Sequence, residues 1–216
     1  MEVNRYAIAA LILLATISYL YVREWSLTRQ EENSSLKNHD IKVVVVVDNN
    51  PYRPDLKTSW GVSMYVEYKG IKMLFDTGPN EDVLKYNVRE LGISLEGIKH
   101  VIISHDHGDH TGGLPAIAGK GLEVYLPAHS SLAGWVKDLG LRPVLVNDTM
   151  ELGDGMYIIG ELPPIYEQAL ALKTKKGIVL LVGCSHPGVD KIAKKATKEL
   201  GERLFLVIAV SYTHLR

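Results

Sequence analysis

Residues 100–113 read His-Val-Ile-Ile-Ser-His-Asp-His-Gly-Asp-His-Thr-Gly-Gly, a short apolar run that breaks into a histidine cluster. Three of the chain's eight histidines, His105, His107 and His110, fall within six residues, with Asp109 between the last two. Imidazole nitrogen and carboxylate oxygen are the donors zinc favours, and a catalytic site keeps one position open for water. His105 and His107 stand two apart at a strand end and can converge on one cation. Asp109 and His110 are displaced along the loop and can face a second. Two cations roughly 3.5–4 Å apart can jointly activate a hydroxide. Gly108 is read as the sharp turn and Gly112-Gly113 as room for close packing beneath the site. A plain surface turn gives no reason for this donor set.

Working outward, Gly183-Cys184-Ser185-His186-Pro187-Gly188 again follows a β-branched run and precedes a helical pattern. His186 is therefore placed at a strand end, where it can complete the first cation's ligands. Cys184 is open to two readings, a metal-ligating thiolate or a small buried side chain. Asp76 closes the strand Ile71–Phe75 before Thr77-Gly78; it can hold the second ring nitrogen of a ligand histidine, or simply cap the turn. His100 is read as structural, His129 as a solvated loop histidine and Asp106 as facing its own backbone or solvent.

The rest of the chain alternates strand-like and helix-like segments. Strands are expected over Ile41–Val47, Trp60–Tyr68, Ile71–Phe75, His100–Ser104, Leu122–Leu126, Met156–Ile159, Ala169–Leu172, Ile178–Val182 and Leu204–Val210. The unbroken β-branched run Ile41–Val47 predicts a strand covered on both faces. Lys69-Gly70 is a hairpin-turn candidate. Helices are expected over Glu81–Leu91, Ser130–Leu139 and Val189–Leu200, each followed by glycine. The strands gather in two groups interleaved with helices, which points to two packed sheets with helices outside. A single doubly wound sheet competes on pattern alone, but no Gly-rich phosphate loop follows the first strand.

His-x-His-x-Asp-His after a short strand, with Phe75-Asp76-Thr77-Gly78 upstream, resembles the metallo-β-lactamase superfamily from about Ile41 to Val210. The resemblance implies an α/β, four-layer αββα sandwich. It implies two divalent cations, zinc ahead of manganese or iron, with His105, His107 and His186 on one and Asp109 and His110 on the other. Asp109 is also assigned the catalytic role. The activity implied is metal-dependent hydrolysis of a small, phosphorylated substrate. Gly-Cys-Ser-His-Pro-Gly, in place of the usual Thr-Pro-Gly-His, is similar to the branch named for 7,8-dihydropterin-6-methyl-4-(β-D-ribofuranosyl)aminobenzene-5′-phosphate synthase. A transferase of that kind is thus an alternative, and an inactive metal-binding fragment is another. That branch continues past the last strand with further elements and a late histidine. Ser211–Arg216 departs from this, so the sandwich is expected to lack its final elements.

Tyr6–Val22 is uncharged and near the lower length for a spanning helix, about 17–25 residues. With Tyr19, Tyr21 and Trp25 after the apolar core, it reads as an N-terminal transmembrane signal anchor over residues 1–22, with secretion after cleavage as the alternative. Residues 23–40 read as a polar linker and 41–216 as the domain. The formal net charge of −1 disfavours nucleic acid as a partner. One cysteine excludes an internal disulfide. The expected partners are a small-molecule substrate and the membrane.

Overall fold

The computed structural model describes residues 18–24, 41–50 and 52–210. The chain divides into Met1–Asp40 and Ile41–Arg216. In the first unit, residues 18–24 are helical and exposed. No helix among the described residues is long and apolar enough to cross a membrane. The anchor expected over Tyr6–Val22, and the membrane localisation drawn from it, are corrected accordingly. The remainder of that expected span, the linker and Ser211–Arg216 lie outside the described residues.

The second unit holds two sheets. The first comprises β1 (Ile41–Val47), β2 (Ser63–Tyr68), β3 (Ile71–Phe75), β4 (Ile98–Ile102), β5 (Glu123–Pro127) and β6 (Arg142–Val146), ordered as numbered. β1, β2 and β3 pair antiparallel, and β3 to β6 run parallel. The second comprises β7 (Met150–Gly153), β8 (Met156–Leu162), β9 (Glu167–Thr174), β10 (Gly177–Val182) and β11 (Leu204–Ala209), ordered 11-10-9-8-7. Only its β10–β11 pair is parallel.

Three apolar layers result from this arrangement. Met64, Val66, Phe75 and Ile102 of the first sheet interdigitate with Met156, Leu170, Val179 and Leu181 of the second. On the outer face of the first sheet, Leu74, Val101 and Val124 pack on Leu84 and Val88 of the helix Glu81–Glu90 and Val136 of the helix Ala133–Asp138. On the outer face of the second, Ile159, Ala171 and Leu180 meet Ile192 and Ala196 of the helix Val189–Leu200. The result is helix, sheet, sheet, helix: two sheets each have one face to bury against the other and one against helices.

Local chemistry sets several joints. Lys69 and Gly70 both take positive φ (49° and 79°), which suits the two-residue turn joining β2 to β3. Asn80 caps its helix by accepting from the Val83 N–H at 2.9 Å, worth about 1 kcal/mol. Two expectations are corrected. β1 is not covered on both faces: Val45 is 41% exposed, and among the described residues β1 is an edge strand of its sheet. Gly108 begins a short helix, Gly108–Thr111, outside the left-handed region, so it is not the turn residue.

Candidate metal centre

β4 delivers the histidine cluster. Its parallel neighbour β3 ends beside it, so Asp76 faces Ser104 and His110. Asp76 is fully buried and sits at φ 56°, a left-handed conformation that aspartate tolerates better than most residues. Its Oδ1 accepts the Ser104 N–H at 2.7 Å, and its Oδ2 accepts the Ser104 hydroxyl at 2.7 Å and lies 2.6 Å from His110 Nδ1. Ser104 Oγ lies 2.9 Å from His105 Nδ1. One carboxylate thus fixes the Nδ1 side of two histidines, directly for His110 and through a hydroxyl for His105. Each then keeps Nε2 for another partner.

Those Nε2 atoms point into a shared space. His105 Nε2 is 3.0 Å from His107 Nδ1. The His186 ring centroid is 5.0 Å from those of both His105 and His107. His110 Nε2 is 3.1 Å from Cys184 Sγ and 3.5 Å from Asp109 Oδ2. His105, Cys184 and His186 offer donor atoms within 4.8 Å of one another, and so do Asp109, His110 and Cys184. Cys184 belongs to both groups and therefore stands between them. This geometry favours its thiolate reading over that of a buried spacer. His105 and His110 are buried floor residues, whereas His107 and His186 are exposed, which leaves the solvent side of the cluster open.

The donor set fits divalent cations: imidazole nitrogens, one thiolate and one carboxylate, with ring orientations already fixed by hydrogen bonds behind them. Burial opposes charging the His110 imidazole, but Asp76 and Cys184 outweigh it and push its pKa up to about 11. A buried imidazole perturbed this strongly by neighbouring groups marks a candidate functional site.

Two supporting residues escaped the sequence reading. Ser104 is one. Glu167 is the other: fully buried at the start of β9, it accepts the Ser185 N–H at 2.9 Å and the His186 N–H at 2.8 Å. Burial pushes its carboxyl up to about 7, against the lowering effect of those two bonds. It holds the His186 loop, in which Ser185 adopts φ 61°. Neighbouring Gln168 donates its side-chain N–H to the Ile103 and Tyr125 carbonyls at 2.7 and 3.1 Å, tying β9 to the first sheet. The signal available in sequence was a Glu-Gln pair heading the apolar run Ala169–Leu172.

Backbone approach also fixes the loop. Gly61, at φ 114°, leaves 2.0 Å between an ideal Cβ position and the Asp109 carbonyl oxygen, so no side chain fits there. Val62 N–H donates to that same carbonyl at 3.3 Å.

Residues 61–184 match the family model of the metallo-beta-lactamase superfamily. The chain belongs to that superfamily. Among superfamily relatives, the 7,8-dihydropterin-6-methyl-4-(beta-D-ribofuranosyl)-aminobenzene-5'-phosphate synthase of Methanocaldococcus jannaschii is 28% identical, covering 80% of this chain and 77% of that protein. The crystal structure of Tm1679, a metal-dependent hydrolase of the beta-lactamase superfamily, matches with a TM-score of 0.67 at 28% identity, covering 79% of this chain and 76% of that one. An N-acyl homoserine lactone hydrolase matches with a TM-score of 0.54 at 14% identity over 82% of this chain and 96% of its own, a likeness of fold.

Proposed function

We propose that this chain is a metal-dependent hydrolase that holds two divalent cations, one on His105, His107 and His186, the other on Asp109 and His110, with the Cys184 thiolate between them. The convergence of these donors from two separate loops onto one space carries the reading. Zinc is the preferred ion for an imidazole–thiolate set, ahead of manganese or iron. When bound, such ions supply Lewis acidity and lower the pKa of water toward about 7.

The chain's own groups do the remaining work. Asp76 keeps the His110 proton at Nδ1, and Ser104 keeps that of His105 at Nδ1, so neither ring turns away from the site. Glu167 sets the position of His186 through backbone N–H groups. Asp109, with one fifth of its side chain exposed, is placed to take a proton from the attacking water as well as to hold an ion. The open rim beside His107 and His186 admits a small-molecule substrate, a phosphorylated one in this reading.

His107→Ala tests this. Zinc or manganese per chain should fall, and hydrolysis of simple esters, lactones and phosphoesters should fall with it. Unchanged metal content overturns the assignment. The likeness to the archaeal synthase favours a second reading on the same site, transfer onto a pterin-type partner. Turnover only when that partner is supplied would favour it over hydrolysis.

A further inference from the structure

We propose that His129 and Tyr166 form a stacking platform at the mouth of the metal-binding site, which selects substrates carrying a planar aromatic ring beside the group attacked. This rests on the hydrolase reading and names a substrate class for it.

The placement comes from topology. β4 and β5 are parallel neighbours, so the loop after β5, residues 128–132, emerges beside the histidine cluster. β9 runs antiparallel to β10, so the β8–β9 turn lies beside the Cys184–His186 loop. His129 sits on the first of these and Tyr166 on the second. Each is tethered to a ligand loop. Asp106, between His105 and His107, accepts the Ser131 N–H at 2.7 Å and its hydroxyl at 3.0 Å, two residues beyond His129. Tyr166 immediately precedes Glu167, which holds the His186 backbone.

The two rings lie 3.8 Å apart between centroids and 12° from parallel. Glu161 holds His129 at two points: one carboxylate oxygen accepts the His129 backbone N–H at 3.1 Å and the other bonds the ring at Nδ1. The Glu161 side chain is only 6% exposed, whereas that of His129 is 54% exposed. A nearly buried carboxylate is therefore committed to holding an open ring still. Tyr166 is held at φ 58° beneath it, a conformation rare for aromatic residues. One face of His129 is covered by Tyr166, so its exposure falls on the other face and edge. A solvated loop histidine needs none of this scaffolding. A rigid ring whose rotamer is already fixed costs little further entropy when a second ring stacks on it.

The test uses zinc-loaded full chain and two probes, phenylphosphonate and methylphosphonate, with affinities measured calorimetrically. Phenylphosphonate should bind roughly three- to tenfold more tightly, the range for one ring stack. In His129→Ala that preference should fall to about one, with methylphosphonate affinity unchanged. His129→Phe, which keeps the ring and loses the Glu161 side-chain bond, should retain the preference. Equal binding of both probes to the parent protein, or an undiminished preference in His129→Ala, overturns the platform and leaves the metal assignment standing. Binding of neither probe to zinc-loaded protein overturns the platform, whereas the metal assignment falls only on the zinc content of the parent and His107→Ala.

Discussion

Asp76→Asn isolates the group on which both halves of the centre depend. Asparagine matches aspartate in shape and tolerates the left-handed φ of 56°, so the backbone need not move. Its amide oxygen still accepts the Ser104 N–H now bound at 2.7 Å. The other position becomes an NH2 group facing the Ser104 hydroxyl and His110 Nδ1, which now lie 2.7 and 2.6 Å from Oδ2. Two bonds to a charged acceptor are lost at a fully buried site. Each contributes about 1.5–3 kcal/mol, and breaking a buried charged pair costs about 3–5 kcal/mol in total. His110 also loses its counter-charge. In the cation-loaded parent the neutral ring keeps its proton on Nδ1, whereas in the variant its Nδ1 lone pair turns to the new amide. The ring proton moves to Nε2, the atom 3.1 Å from Cys184 and 3.5 Å from Asp109, so the lone pair a cation needs there is gone. Second-cation affinity should fall about 10- to 100-fold. Guanidinium unfolding in the presence of chelator reads the first effect, and competition against a chromophoric zinc chelator reads the second. A variant with the parent's unfolding midpoint and two equally tight zinc equivalents would refute this account of Asp76.

Gly61→Ala should destabilise the domain by at least about 2 kcal/mol in the same denaturation assay, since its Cβ would stand 2.0 Å from the Asp109 carbonyl at φ 114°; an unshifted midpoint would show that the loop yields freely. His100 provides a pH prediction: burial lowers its pKa, against the raising effect of Glu123. The fold favours the neutral ring, so this contribution is whole above the unfolded value near 6.5 and is lost as pH falls through the depressed one. His100→Gln should therefore lose less unfolding free energy than the parent between about pH 7 and 5. The difference between the two curves cancels Glu167, whose raised pKa of about 7 acts in the opposite sense, lost as pH rises. Parallel curves would dismiss the effect.

Strands were legible where an apolar run is unbroken, at the centre of a sheet or at its edge, and unreadable where a breaker or polar residues interrupt it. β3, β10 and the helix Val189–Leu200 match their sequence patterns closely, because burial on both faces or a clean helical stripe leaves few alternatives. β6 went unrecognised because Arg142-Pro143 reads as a breaker. Proline is tolerated there because β6 is the last strand of its sheet and one side needs no donor. β7, Met-Glu-Leu-Gly, is the corresponding edge of the other sheet and carries too few apolar residues to register. β1 erred in the other direction. Its valines suggested full cover, yet a strand's position in a sheet is set by where the other strands pair, not by its own composition.

The same division runs through the candidate metal centre. Donor atoms that touch an ion must be imidazole, thiolate or carboxylate, so their chemistry restricts residue type and makes them conspicuous in sequence. Residues that aim those donors need only offer one hydrogen bond in the right place. Ser104 and Glu167 do so with ordinary side chains whose relevance depends on a separation of 28 residues to Asp76 in one case and 19 to His186 in the other. His129 shows the limit most clearly. Its loop position fits a solvated residue, and only the approach of Glu161 on β8 from 32 residues away, with Tyr166 from the turn that follows that strand, makes it a fixed ring. Sequence therefore announces the reaction's reagents, while the means of orienting them, and of choosing what they act upon, are properties of contacts between strands distant in the chain.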